Sequence, residues 1–229
     1  MDLSEITEEK FFAIKAYALL HDPPDKMWRL TAGHGRRARK MFARVFRDTV
    51  FGGGVPPEEG PLMEVVKNAD RFASTVDRFS FYSPGGRRYL VRYYKLHNLF
   101  NLDKSLELPA NAPPEVDKYV EELREKISKA CRSDSDPRRC YHAFYAFYEA
   151  LWIARGLPPS LADTRAPTHD VFDHLYATAM MTNWLMLGGE PAGFFVAIDI
   201  PGVQEFVSAG RKAGDFWAGS WVISMAVWL

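Results

Sequence analysis

The stretch FFAIKAYALLHDPPDK, residues 11–26, joins an apolar segment to a histidine–aspartate pair and a proline-rich stop. Its apolar residues recur at helical spacing, which predicts a helix over 8–21 with one face in a core. The two prolines end that helix, because a residue before proline is disfavoured in the α region. His21 and Asp22 therefore lie at the end of a buried helix. An imidazole and a carboxylate placed there can reach one metal ion.

The pair alone is weak evidence for a metal site, because the chain has a second one at His169-Asp170. A helix is predicted over 169–187. On it, His169 with Asp173 and Asp170 with His174 are both i, i+4 pairs, so each pair shares a face. Only one pair can face the core. We expect His174 to point inward, because apolar residues continue along its side of the helix.

Composition limits the classes of partner and location. The formal net charge of the 229-residue chain is zero, so only local basic patches can argue for nucleic-acid binding. The first ten residues are polar and acidic, unlike a signal peptide. No apolar run approaches the roughly 20 residues that cross a bilayer. We therefore expect a cytoplasmic protein with no membrane partner.

The two cysteines, Cys131 and Cys140, do not have the spacing of a CxxC zinc site. They allow two alternatives: reduced thiols at helix ends, or a disulfide that closes a short loop, as in a protein from a hyperthermophile. We favour the reduced thiols. Neither alternative indicates catalysis.

Most of the remaining chain has helical periodicity, interrupted once. Helices are predicted over 35–51, 61–75, 113–131 and 137–155. Residues 84–112 form either a hairpin or an irregular insertion, with a turn at Gly85-Gly86 and an extended segment over 89–94.

One predicted helix has a basic face, which is either a guide for single-stranded DNA or a solvated surface. The basic residues are Arg36, Arg37, Arg39 and Lys40.

A second domain is predicted near the end of the sequence. The apolar run 194–200 is typical of a strand buried on both faces, and such a strand needs sheet partners that the chain does not supply nearby. Apolar helical segments follow it. We expect one domain over 1–190 and the incomplete start of another over 191–229.

Five side chains are candidate metal ligands. They are His21, Asp22, His34, Asp70 and His174. Imidazole and carboxylate ligands suit one or two Mn, Ni, Co, Fe or Zn ions, and two such ions about 4 Å apart can clamp a phosphodiester. Asp22 would be the bridging ligand. The structural alternative is that His21 caps a helix, Asp70 pairs with an arginine and His174 is a core histidine.

Several segments resemble one family in the same order along the chain. They are LHDPPDK at 20–26, NADRFAS at 68–74, the segment 161–178, and 199–220 with its DIPGVQEFV motif. Together they resemble the Cmr2 family, the Cas10-type large subunits of type III-B CRISPR effector complexes. The last segment is the most specific.

The resemblance implies a mainly α, circularly permuted HD-superfamily domain, followed by the first strand and helices of a ferredoxin-like palm domain. In the permuted order His21 and Asp22 come first, Asp70 lies in the ADxxA-like segment, and His174 takes the role of the first histidine. His34 would be an additional ligand. The family's HD domain is associated with metal-dependent cleavage of single-stranded DNA. The implied partners are other effector subunits, the guide and target RNA, and further palm domains.

The family's second activity, the synthesis of cyclic oligoadenylates, relies on a GGDD motif. This sequence has no GGDD, so we do not expect that activity from this chain alone.

Three functions remain open. The first is an HD nuclease in which His21, Asp22 and Lys26 are catalytic, with Lys26 either on a substrate phosphate or solvated. The second is a phosphohydrolase of small nucleotides, which uses the same ligands in a closed pocket. The third is a non-catalytic scaffold segment of the same complex.

Overall fold

A computed structural model describes most of the chain: residues 6–28, 34–52, 59–75, 95–98, 101–107, 109, 111–132, 134–162, 169–188 and 201–228. These residues are mainly helical, as predicted. They divide into two units, residues 1–192 and 193–229. The predicted domain boundary stays a prediction.

Six helices of the first unit are described. They are α1 Glu8–Ala18, α2 His34–Val45, α3 Pro61–Ala73, α4 Glu115–Ala130, α5 Pro137–Ala154 and α6 Val171–Gly188. A 3-10 turn, Lys26–Trp28, follows the double proline. Helix α1 packs on α5 and α6, α3 packs on α6, and α4 contacts both α2 and α5. The ends of α1 and α3 are thereby brought to the side of α6.

Helix α1 has ordinary start and stop signals. The Thr7 hydroxyl accepts a hydrogen bond from the Lys10 amide at 3.3 Å, and Glu8 and Glu9 occupy the first turn. The hydroxyl satisfies an amide that has no partner within the helix, and the two acidic residues interact favourably with the positive end of the helix dipole. Residues 16–20 are buried, so the helix delivers His21 to the molecular interior.

Aromatic side chains fill the core between α2, α4 and α5. Phe46, Phe144 and Trp152 are completely buried, and the Phe46 and Phe144 rings meet edge to face at 5.0 Å. The Tyr119 hydroxyl donates to the Tyr148 carbonyl at 2.8 Å, which satisfies a polar group inside this core.

Cys131 and Cys140 form a disulfide, with their Cα atoms 5.2 Å apart. The prediction of reduced thiols is wrong, and the disulfide alternative is confirmed. Cys131 ends α4 and Cys140 lies in the first turn of α5, and both are completely buried. The short connection between two antiparallel helices brings the sulfurs within bonding reach.

A hairpin interrupts the helices, which confirms one of the two predicted alternatives for residues 84–112. Strands β1 Lys95–Asn98 and β2 Asn101–Glu107 pair antiparallel, with Leu96 opposite Leu106 and a register shift at His97/Asn98. The predicted turn at 85–86 and extended segment at 89–94 lie outside the described residues.

The second unit contributes two described helices, α7 Val203–Ser208 and α8 Ala213–Trp228. They pack on each other, and α8 leaves Trp217 and Trp221 exposed. The strand predicted over 194–200 lies outside the described residues. Within the described part of the chain, no helix has both the length and the apolar character needed to span a bilayer.

Candidate metal centre

The His21 ring is oriented by the end of its own helix. Its Nδ1 lies 2.7 Å from the Ala18 carbonyl oxygen, three residues earlier. A carbonyl only accepts, so Nδ1 carries the proton and donates. In the neutral ring the lone pair is then on Nε2, the tautomer that metal-binding histidines adopt when the other nitrogen is hydrogen-bonded.

Two side chains from other helices approach His21 Nε2. Asp70 lies near the end of α3, and His174 lies in the first turns of α6. One Asp70 oxygen, Oδ1, is 3.0 Å from His174 Nε2 and 3.6 Å from His21 Nε2. One ligand atom from each of the three residues lies within 4.8 Å of the other two.

The charges of this cluster are coupled. His21 Nε2 is buried and lies 3.6 Å from the Asp70 carboxylate, beyond ordinary hydrogen-bond distance. Burial favours the neutral ring, but the neighbouring Asp70 carboxylate and the charge of Asp22 outweigh it and raise the pKa of His21. The two imidazoles, His174 before His21, overcome burial and hold the pKa of Asp70 well below its usual range. The carboxylate and the imidazoles therefore stabilise each other's charged forms.

A divalent metal ion fits the donor set. Two ligands bound at about 2.1 Å to one ion lie at most about 4.2 Å apart. The distances of 3.0 and 3.6 Å from Asp70 to the two imidazoles are within this limit. Two imidazoles and a carboxylate suit divalent transition metals. The fit supports a metal site at His21, Asp70 and His174 and does not select the element.

The cluster is closed on one side and open on the other. The His174 side chain is 4% exposed and that of His21 14%, whereas that of Asp70 is 32% exposed. The imidazoles therefore form the buried wall of the site, and solvent or a substrate reaches it along Asp70.

Comparison with known proteins gives two matches. Residues 195–229 match the family model of the N-terminal region of the CRISPR-associated protein Cmr2. The chain is also 32% identical, over an alignment of 254 residues, to the protein "CRISPR system CMR subunit Cmr2" of Saccharolobus solfataricus. The predicted resemblance to Cmr2 is confirmed. The alignment includes all of this chain and 23% of the relative's length. No solved structure matches significantly.

Asp22 belongs to the LHDPPDK motif of the Cmr2 resemblance, but the structure does not place it in the three-residue cluster. Its carboxylate accepts a hydrogen bond from Lys26 Nζ at 2.6 Å, and the same ammonium donates to the Ala162 carbonyl at 2.9 Å. Lys26 follows Asp22 by four residues across the prolines, which brings the two side chains together. Asp22 still acts on His21 through its charge.

The remaining predicted ligand and the second dipeptide have different outcomes. His34 begins α2, and its side chain is not among those the structure describes. Asp170 accepts from the backbone amides of Phe172 at 2.9 Å and Asp173 at 3.1 Å, so it caps α6. His174 points inward, as expected.

The predicted basic face is divided between two roles. Arg37 forms an ion pair with the buried Asp25, which attaches α2 to the loop after His21-Asp22. Arg36 and Lys40 are exposed, and Arg39 is half-buried. The four cations therefore do not form one uniform surface.

Sequence reasoning missed Ser160. This serine is completely buried, and its hydroxyl donates to the Pro24 carbonyl at 2.5 Å and accepts from the Met27 amide at 3.0 Å. Its carbonyl accepts from the Val171 amide at 2.8 Å. Ser160 thus connects the loop after His21-Asp22 with the start of α6. A single serine after two prolines carries no periodic signal that could have predicted this.

Proposed function

We propose that the chain forms the metal-dependent phosphodiesterase domain of a Cmr2-type subunit and cleaves single-stranded DNA within a type III CRISPR effector complex. The observation that carries this proposal is the convergence of His21, Asp70 and His174 from three helices. Two imidazole nitrogens and one carboxylate oxygen lie at the distances that ligands of a single ion have.

The proposed ligands are those three residues. A divalent ion bound there supplies Lewis-acid polarisation of a phosphoryl oxygen and activation of a water molecule. The chain's contribution is to hold the His21 imidazole in the right tautomer, which the Ala18 carbonyl does through Nδ1.

Asp22 and Lys26 form the adjacent part of the proposed site. If a second ion bound, Asp22 would be the residue to hold it, in exchange for its present partner Lys26. Both side chains are only slightly exposed, so their ion pair holds the carboxylate next to the cluster. Once released, the Lys26 ammonium is suited to a substrate phosphate.

The surroundings of the centre favour a polyanionic substrate over a small nucleotide. Asp70 is accessible from solvent, as an open groove requires. The Arg37–Asp25 ion pair holds the start of α2 near the loop after His21-Asp22, and Arg36 is exposed in the first turn of this anchored helix. An exposed cation in such a place attracts a nucleic-acid backbone.

The remaining partners follow from the relative's name and length. The Saccharolobus protein is named as a subunit of the CRISPR CMR system, and this chain matches 23% of it. We therefore propose other subunits of such a system as partners, and, as the Cmr2 resemblance implies, further palm domains and guide and target RNA.

The deciding experiment is a cleavage assay with the full chain. It is incubated with Mn²⁺, Ni²⁺, Co²⁺, Fe²⁺ or Zn²⁺ and with labelled single-stranded DNA, duplex DNA or nucleotides. We expect cleavage of single-stranded DNA, reduced at least about 100-fold in His174→Ala, because one ligand to the ion is removed. His142→Ala, which removes an exposed histidine of α5, is the matched control and should retain activity.

Each other outcome rejects a stated part of the proposal. If metal binds but no substrate is cleaved, the chain is a scaffold segment. If only nucleotides are hydrolysed, the domain is a nucleotide phosphohydrolase. Equal activity in His174→Ala and the wild type would show that the centre lies elsewhere.

A further inference from the structure

A second basic site lies toward the C-terminal end of α2. The last turns of α2 and the middle of α4 border a cleft of about 640 Å³. Its lining residues are Lys40, Ala43, Arg44, Arg47, Gly52, Glu121 and Arg124. Four of the seven are cations and one is an anion, in a chain whose formal net charge is zero.

Helix α2 and the turn that follows it supply three of the cations. Lys40 and Arg44 are related by i, i+4 and share a face of the helix, with the small Ala43 between them, and Arg47 lies in the turn after the helix ends at Val45. From Lys40 to Arg44 the helix rises about 6 Å, and Arg47 adds a third cation at the same cleft, so the cations can contact more than one phosphate group. This arrangement fits a chain of anions better than a single one.

Two of the cations are held in place and two are available. Glu121 accepts from both Arg44 and Arg124, and Arg124 also pairs with Asp48. The carboxylate thereby orients two guanidinium groups across the cleft. Lys40 and Arg47 are exposed, and neither has an ion-pair partner within the described part of the chain.

The backbone beside Arg47 is also constrained. A Cβ atom at Gly52 would lie 2.1 Å from the Arg47 carbonyl oxygen, so only glycine fits this turn. The Thr49 hydroxyl donates to the Phe46 carbonyl at 2.9 Å and accepts from the Phe51 amide at 3.1 Å. The edge of the cleft is therefore a defined turn.

The lining residues also limit what the cleft can recognise. None is aromatic and none is an amide or hydroxyl residue, so the cleft offers no aromatic platform for bases and is dominated by cations suited to phosphate. The cations come from two helices and a turn, an arrangement that a flexible strand can follow more readily than a rigid duplex.

We propose that this α2–α4 cleft binds the phosphate backbone of single-stranded nucleic acid, DNA or RNA, without sequence preference. The site uses Lys40, Arg44, Arg47 and Arg124. This inference goes beyond the proposed nuclease function and needs neither a metal ion nor cleavage.

The test is a binding measurement on the full chain in excess EDTA, which separates it from the cleavage assay. Fluorescence anisotropy follows labelled 20-nucleotide DNA and RNA strands of mixed sequence, with a duplex as competitor, at several salt concentrations. We expect equal affinity for DNA and RNA within about threefold and weaker competition by the duplex. Arg47→Glu should weaken binding at least about tenfold, because like charges then face each other. It should also reduce the slope of log affinity against log salt by about 0.7 for each phosphate that the variant no longer neutralises.

Two further variants control for charge and folding. Glu121→Gln removes the one anion of the lining and should tighten binding, an effect that partial unfolding cannot produce. Lys129→Glu changes the same charge as Arg47→Glu at an exposed site of α4 outside the cleft and should leave affinity within about twofold. Absence of binding by the wild type, or equal losses in Arg47→Glu and Lys129→Glu, overturns the proposal.

Discussion

The chain uses the same dipeptide, histidine followed by aspartate, in two regions with opposite results. His21-Asp22 follows the end of α1, where the ring donates to the Ala18 carbonyl. His169-Asp170 precedes α6, where the carboxylate accepts from two free backbone amides. Helix ends differ in polarity: the first turn offers donors and the last turn offers acceptors. The same two side chains therefore yield an oriented imidazole at one helix end and a capping carboxylate at the other.

Removing each histidine separately should reveal the largest difference between the two dipeptides. His21→Ala should lower metal affinity by more than the roughly 10–100-fold that loss of an outer partner costs, because it removes a ligand. His169→Ala should change affinity less than about threefold, although its ring centroid is 6.4 Å from that of His174. Isothermal titration with Mn²⁺ measures both. Equal losses would mean that both dipeptides contribute to the centre.

Ser160 connects the two regions, so its removal should affect both. Ser160→Ala leaves the part-buried Met27 amide and the buried Pro24 carbonyl without their partner, which should lower the free energy of unfolding by about 2 kcal/mol. Urea denaturation measures the change. Ser128→Ala is the control, since that hydroxyl bonds only within its own helix, and should change stability by less than about 0.5 kcal/mol. A neutral Ser160→Ala would show that the two loops are held independently.

The capping role of Asp170 predicts a smaller, local effect. Asp170→Ala should cost about 1 kcal/mol of stability, whereas Asp170→Asn should cost little, because asparagine caps helices about as well. Thermal unfolding followed by circular dichroism is the measurement. Metal affinity should stay within about threefold in both variants. A large drop in affinity in Asp170→Asn would contradict a purely capping role.

The smallest expected effect is the pH dependence of stability in the metal-free protein. The pKa of His21 is raised, so its stabilising contribution is complete below 6.5 and is lost as the pH rises through the raised value. The pKa of Asp70 is lowered, so its contribution is present above 3.8 and is lost as the pH falls. In EDTA, His21→Gln should therefore destabilise the chain more at pH 5.5 than at pH 9. Urea unfolding of the variant and the wild type at the two pH values measures the difference, and an equal loss at both would contradict the expectation.

Local pattern predicted the helices well and their ends less well. Periodicity and proline placed α1, α3, α4 and α5 within a few residues of their observed limits. Helix α2 was predicted to reach 51 and ends at Val45. The Thr49 hydroxyl and the tight turn at Gly52 bend the chain before the apolar pattern stops.

The candidate site could be predicted only in part from the sequence. His21 could be placed by its helix, but Asp70 and His174 were assigned to the same site by family resemblance, because spacing does not report contacts between distant helices. Asp22 was predicted beside His21 in the cluster, and its side chain instead meets Lys26. The Arg44–Glu121 ion pair of the α2–α4 cleft joins residues 77 positions apart, which no local pattern reveals.

The three proposed ligands also have a topological consequence. His21, Asp70 and His174 lie about 50 and 100 residues apart along the chain. An ion that joined them would close two long loops at once, and because it binds the assembled ligands of the folded chain, it would stabilise that folded arrangement. Occupancy of the site and the anchoring of α3 to α6 would then be one linked equilibrium. Slower hydrogen exchange along α3 on addition of metal would report occupancy without any substrate.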